Sequence, residues 1–262
     1  MFPILNGYST SLFNGQVVQL GATATTPFDI GTVINTTLTY NSASPVAGTI
    51  GVFVGCEYST TGGPIYGKNR SQYWLASTAA TDAVAYVVDD PLALFKTCVL
   101  NGGAASTSTL QYVNQAYVGS NALYIPGTGS LTTGNATGGV AINAAATSTS
   151  AIAPLTTTAP FRIVQLVQET AVNVVQAATS SSTTITLSAA NTAILPGMSI
   201  SGPGIVNGNN TYVTTVNGTA VTLNRAVTTN QSTAVNFTFT GYPEVIVGWN
   251  PSYHGYNNVT GV

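Results

Sequence analysis

Asp82-Ala-Val-Ala-Tyr-Val-Val-Asp-Asp-Pro91 reads as a β-strand followed by its own stop signal. Val84, Tyr86 and Val88 fall on one side of the pleat, and Ala83, Ala85 and Val87 on the other. Both sides are apolar, which predicts a strand inside a sheet or sandwich rather than at an edge. Asp89-Asp90-Pro91 ends it, because aspartate favours turns and proline brings no amide hydrogen to a ladder. Thr49-Ile-Gly-Val-Phe-Val-Gly-Cys-Glu-Tyr58 has the same character. A Gly/Pro-rich link at residues 60–70 and the aromatic pair Tyr73-Trp74 join the two runs. Seven of the twelve charged residues lie between Glu57 and Lys96, which makes residues 50–95 the best-specified core of the chain.

At 262 residues the chain has room for one large β domain or two smaller ones. Charged residues are 5% of it, against about 25% in ordinary soluble domains. Hydrophobic residues reach 44%, so folding rather than disorder is expected. A surface this poor in charge suits a protein covered by neighbours in an assembly. Five basic residues and a net charge of −2 give no footprint for nucleic acid or an anionic membrane. Met1-Phe-Pro-Ile-Leu-Asn-Gly7 lacks a basic, then apolar, leader pattern, so no secretory signal is expected. No apolar run approaches about 18 residues, so no membrane span is expected either. Cys56 and Cys98 leave two readings open: a disulfide, or two small buried thiols.

Outward from the core, Gln16-Val-Val-Gln-Leu20 after the turn Asn14-Gly15 predicts a strand. Phe28-Asp29-Ile30 and Val33-Ile34 predict further short strands or an extended arm. Leu92-Ala-Leu-Phe-Lys-Thr-Cys-Val-Leu100 reads as a strand. In residues 110–124, Tyr112, Val113, Ala116 and Tyr117 are spaced for one face of a short helix. Residues 126–160 are almost wholly Gly, Ala, Thr, Ser and Asn. They read either as a surface loop or as a segment ordered on a partner, with Ile152 and Leu155 as anchors. Phe161-Arg-Ile-Val-Gln-Leu-Val-Gln168 alternates strictly, with Phe161, Ile163, Gln165 and Val167 opposite Arg162, Val164, Leu166 and Gln168.

Residues 171–240 contain a single charge, Arg225, and short strands at regular spacing. They predict a small β-sandwich or barrel-like module, with a type I′ hairpin at Asn217-Gly218. Tyr242-Pro-Glu-Val-Ile-Val-Gly-Trp249 then resumes the earlier strand pattern. The expected division is therefore a discontinuous main domain, 1–170 plus 241–262, and an inserted module, 171–240. Residues 161–168 and 244–248 should pair antiparallel. Asn250-Pro-Ser-Tyr-His-Gly-Tyr256 and the residues after it suit docking onto another surface through Tyr253, His254 and Tyr256.

No catalytic, cofactor-binding or metal site is expected. His254 is the only histidine and has no Gly-x-Ser-x-Gly elbow to serve. Glu57, Asp82, Asp89 and Asp90 are the right residue types for glycoside hydrolysis, but adjacent Asp89 and Asp90 point to opposite faces and suit turn formation. No Asp-x-Asp-x-Asp-Gly calcium loop and no Cys/His zinc cluster occurs. Gly202-x-Gly204-x-x-x-Gly208 misses the dinucleotide-binding spacing.

Gly51-Val-Phe-Val-Gly-Cys-Glu-Tyr58, Gln72-Tyr-Trp-Leu-Ala76 and the run at residues 82–91 together resemble capsid decoration or cement proteins of tailed bacteriophages. The resemblance continues loosely through Phe161-Arg-Ile-Val, Tyr242-Pro-Glu-Val-Ile-Val and Thr260-Gly-Val262. Ser201-Gly-Pro-Gly-Ile205 and Tyr212-Val-Thr-Thr-Val216 are similar to the Thr/Gly-rich β modules of phage virion proteins. The resemblance implies a non-enzymatic virion structural protein on the capsid exterior, with the major capsid protein as partner and a homo-oligomeric state. The alternative it leaves is a tail, baseplate or fibre component whose module binds host glycan. The expected fold is all-β: a β-sandwich or jelly-roll-like main domain, the inserted module, and extended arms at residues 1–20, 126–160 and 250–262.

Overall fold

The computed structural model describes residues 1–21, 32–35, 49–59, 68–100, 110–142, 155, 158–206, 211–254 and 256. The strands expected at residues 28–30, most of the link at 60–70, the Ile152 anchor and residues 260–262 lie outside them. The fold is all-β and sandwich-like, with strongly curled sheets.

Residues 1–100 supply nine of the described strands: β1 (Phe2–Pro3), β2 (Leu12–Phe13), β3 (Val17–Leu20), β4 (Val33–Asn35), β5 (Thr49–Tyr58), β6 (Asn69–Ser71), β7 (Tyr73–Trp74), β8 (Val84–Val88) and β9 (Leu94–Cys98). One sheet runs β1-β8-β5-β3-β4, with β6 also on β5. β8 is internal, as its sequence predicts, although only the two residues of β1 cover its outer side. Ala83 and Ala85 are buried, whereas Val84, Tyr86 and Val88 are half-buried. The stop is chemical: the Asp90 carboxylate accepts a hydrogen bond from the Leu92 amide at 2.8 Å.

The centre of this sheet is β5, which is packed on both faces. Val52 joins a core shared with the next sheet, while Ile50, Phe53 and Cys56 join a second core with Leu12, Val18, Trp74 and Ala85. Three residues sit on one side at a spacing of three, not two. The cause is a pair of register shifts, one at Ile50 and one at Val54. Each β-bulge inserts an unpaired residue and turns the strand. Each is followed by a glycine in a conformation that side chains rarely adopt, Gly51 at φ +154° and Gly55 at φ +150°. A Cβ on Gly51 would overlap the Val88 carbonyl oxygen, and one on Gly55 would stand 2.8 Å from the Ser71 oxygen.

The rest of the chain adds β10 (Asn121–Ile125), β11 (Gly139–Ala141), β12 (Phe161–Leu166), β13 (Val172–Ser181), β14 (Thr184–Leu187), β15 (Ser199–Ser201), β16 (Val213–Asn217), β17 (Ala220–Leu223), β18 (Gln231–Gly241) and β19 (Glu244–Trp249). A second sheet runs β11-β10-β12-β19-β9. The expected antiparallel pair of residues 161–168 with 244–248 is present as β12 against β19, Phe161 opposite Trp249. The sheet curls until Val99, just past β9, bridges Val140 in β11. Its concave face carries Tyr124, Phe161, Ile163, Val245, Val247 and Trp249.

A third sheet, β15-β18-β13-β14-β17-β16, uses only strands within residues 172–241. It also curls back on itself: the Val213 amide bonds the Met198 carbonyl at 2.8 Å, and Ser199 bridges Tyr212. Ile185, Met198, Ile200, Val213, Val221, Phe237 and Phe239 fill the interior.

Several expectations are corrected. Residues 110–124 hold one 3-10 turn at Gln115–Tyr117 and then strand β10, because Asn114 caps the turn while Leu123 and Tyr124 are needed in a sheet. Much of the expected arm at 126–160 is packed on this chain: β11 pairs with β10, and Val140, Ala141 and Ile142 are buried. Leu155 anchors, but against Leu123, Ala141 and Ala159 of its own chain. Residues 1–20 are no free arm either, since Ile4, Leu12, Val17 and Val18 are core. In β12 a bulge at Val164 breaks the strict alternation and turns Leu166 inward. In the module hairpin Asn217 pairs with Ala220, so Gly218 and Thr219 form the turn. Only Gly218 has positive φ, +60°, which is the sign pattern of type II′ rather than I′.

Gly51→Ala should therefore destabilise the fold by about 3 kcal/mol or more, through overlap with the Val88 backbone. Gly218→Ala, with nothing within 4 Å of its Cβ position, should cost only about 1–2 kcal/mol of left-handed strain. Urea unfolding midpoints of the two variants check the ordering.

Candidate functional site

The carboxylates that sequence singles out are divided between two places. Glu57 on β5 and Asp82 just before β8 share one cationic bridge: Lys68 Nζ lies 3.6 Å from Glu57 and 3.7 Å from Asp82. Arg70 on β6 adds a contact to Glu57 at 3.6 Å. Tyr86 donates its hydroxyl proton to Glu57 Oε2 at 2.6 Å. The Ser59 amide and hydroxyl both donate to Asp82, each at 2.9 Å. Antiparallel pairing of β5 with β6 and β8 brings these groups together, Glu57 standing opposite both Arg70 and Val84.

The Tyr86 hydrogen bond, then Lys68 and Arg70, hold the Glu57 carboxyl below its ordinary range. Hydrogen bonds from Ser59, then Lys68, do the same for Asp82. Glycoside hydrolysis needs one carboxyl kept protonated beside one kept ionised. Here both are pushed the same way, so the pair supplies no proton donor near neutrality. The arrangement clamps the end of β5 to its neighbours.

Asp89 and Asp90 part company, as adjacent residues on extended backbone do. Asp90 makes its turn, whereas Asp89 Oδ2 accepts the Tyr256 hydroxyl at 3.0 Å. Among the described residues no group of three His, Cys, Asp or Glu side chains is placed to hold a metal ion. Cys56 and Cys98 are free thiols, and burial pushes Cys56 up to about 12, far from a reactive thiolate.

The C-terminal segment, expected to dock elsewhere, docks at home as far as it is described. Tyr253 is 1% exposed and His254 is fully buried. The imidazole packs edge-on to Trp249 at 5.5 Å, and Trp249 in turn meets Phe161 at 4.6 Å. His254 Nδ1 accepts the Tyr256 amide at 3.3 Å. Burial lowers the His254 pKa, against the opposing pull of the Ile50 backbone and the Asp89 and Asp90 charges. The ring is held neutral.

Two surfaces remain that could meet a ligand or partner. The convex face of the second sheet exposes Leu94 (58%) and Val164 (44%), and Leu92 (84%) is exposed in the turn that leads into β9. Leu94 and Val164 close over Gly248, and the ion pair Lys96–Glu244, at 3.0 Å, borders the patch. The other surface is a cleft of about 300 Å³ where the second and third sheets meet. Gln115, Gln168, Ser199, Ser201 and Tyr242 line it, with Leu166 buried beneath. A smaller cavity of about 110 Å³ lies between the first and second sheets, near Val17, Val52 and Tyr124.

Sequence reasoning missed both surfaces. Val164 falls on the outer side with Arg162 by simple alternation, but that Leu94 stands beside it across Gly248 depends on strand pairing. The cleft joins residues more than 120 positions apart, and no local pattern encodes that. Set against protein-family models, curated proteins and solved structures, the chain matches none of them.

Because both cluster pKa values are lowered, the cluster stabilises fully above pH 4.5, the ordinary Glu value, and loses that contribution as pH falls past 3.8, the ordinary Asp value, and below. A Glu57→Gln/Asp82→Asn variant should show a flatter acid unfolding profile over that window. His254 adds a separate loss that starts as pH falls below 6.5, since protonation is easier unfolded. His254→Gln should remove that upper step alone, as read by thermal melts from pH 8 to 3.

Proposed function

We propose that this chain is a structural component of a bacteriophage particle, bound to the outside of an icosahedral capsid and stabilising it. The exposed apolar pair Leu94 and Val164, with Leu92 exposed in the turn just before β9, carries the reading. In a chain with only 5% charged residues, such a patch offers area for protein contact and few charges to repel a neighbour. The carboxylates support the same reading, since Glu57 and Asp82 are engaged in internal ion pairs and hydrogen bonds. A protein that binds only assembled shell shifts the equilibrium against disassembly. Apolar contact also keeps that binding less sensitive to salt than charge pairing. The shell subunit is the partner in this reading, and self-association into a closed ring fits decoration of a symmetry axis.

Quantitative mass spectrometry of purified particles tests the placement. A copy number on the order of hundreds, in simple ratio to the shell protein, is expected. A few to a few dozen copies would move the chain to a tail, baseplate or fibre, and absence would overturn the structural reading. Leu92→Asp/Leu94→Asp should weaken particle binding at least about tenfold, because it places two charges in a desolvated contact. The variant's melting temperature should stay close to that of the parent, since both side chains are exposed.

A further inference from the structure

The cleft between the second and third sheets has a chemistry of its own. Among the described residues no Lys, Arg, Asp, Glu or His lines it. Its walls are amides and hydroxyls, Gln115 and Gln168 from one side and Ser199 and Ser201 from the other, and all four are at least partly accessible. The side-chain amides both donate and accept, and the Ser199 and Ser201 hydroxyls, which donate to the Thr240 and Thr238 carbonyls at 3.1 and 3.5 Å, keep acceptor lone pairs for sugar hydroxyls. Leu166 and Ile200 are buried at its base and Tyr242 stands half-buried at its edge, an apolar surface of the kind that meets the C–H face of a pyranose. About 300 Å³ lies at the small end of ligand clefts.

The two walls are fixed relative to one another. Asn114, whose Oδ1 caps the 3-10 turn, donates through Nδ2 to the Gly197 carbonyl at 2.6 Å. Val113 and Tyr242 exchange backbone hydrogen bonds at 3.0 and 2.8 Å. Tyr117 packs on Tyr212 at 5.6 Å. A site held open in this way does not lose affinity to ordering its own walls.

We propose that this cleft binds a neutral saccharide of one or two rings, with Gln115, Gln168 and Ser201 contacting its hydroxyls. The inference is independent of where the chain sits in a particle, so a copy-number result leaves it intact. The test uses the full chain and saturation-transfer NMR with maltose, cellobiose, lactose and chitobiose, followed by calorimetric titration of any binder. At least one disaccharide should bind. Gln168→Ala should weaken it about three- to tenfold, the loss of one neutral hydrogen bond. Ser201→Trp, which fills the cleft from an exposed position, should abolish binding with the melting temperature unchanged. If Ser201→Trp fails to fold, Gln115→Ala/Gln168→Ala, both at exposed positions, decides the matter by the same readout. Binding of none of the four sugars would overturn the proposal. So would binding indifferent to these substitutions, or preferential binding of glucuronic acid or a neutral tetrapeptide used as competing probes.

Discussion

The packing of β5 on both its faces is the constraint on which the rest depends. A strand that meets a core on each face carries few polar side chains in its middle, and its neighbours must approach closely. Gly51 and Gly55 make that approach possible, because a Cβ at either place would meet the backbone of β8 or of the residues around β6. The two bulges then direct Ile50, Phe53 and Cys56 into one core while Val52 reaches the other. Two cores are thereby joined through β5, and its neighbour β3 does the same with Val17 in one core and Val18 in the other. Everything from the β2–β7 pair, where Leu12 and Trp74 cover one face, to the curled second sheet on the other rests against β5.

Polar groups in this chain are arranged with the same economy. With so few charges, ion pairing is confined among the described residues to a handful of contacts, three of them around Glu57 and Asp82 at the far end of β5. Hydrogen bonding by amides and hydroxyls does the remaining work. Asn114 caps a turn with one atom and ties the third sheet to the second with the other. Asn250 donates to the Ala159 carbonyl at 2.6 Å, holding the chain beyond β19 beside the entry to β12. Neutral contacts of this kind survive changes in salt and, above the carboxylate range, in pH.

Functionally, the molecule presents two unlike surfaces at opposite ends of its chemistry. The apolar patch on the second sheet suits broad contact with another protein, and the amide-lined cleft suits a small neutral ligand. Neither surface needs a titrating group. The one buried histidine serves to seat the C-terminal segment against Trp249 rather than to move a proton.

By itself the sequence determined the all-β class, the strand at residues 82–91 with its aspartate stop, and the β12–β19 pairing across the intervening 70 or so residues. These follow from period-two patterns and turn chemistry, which are local. It also marked Glu57 and Asp82 as the carboxylates to watch, without revealing that Lys68 joins them. Only the tertiary structure decided that residues 1–20 place Ile4, Leu12, Val17 and Val18 in the core and that residues 139–142 are buried rather than part of an arm, because a partner strand satisfies their backbone hydrogen bonds. It alone turned Leu166 inward and Gln165 outward, since a bulge shifts register without leaving a mark in composition. The cleft belongs to the same class. Gln115, Gln168 and Ser201 meet because two curled sheets dock, and docking is a property of surfaces that no stretch of chain carries alone.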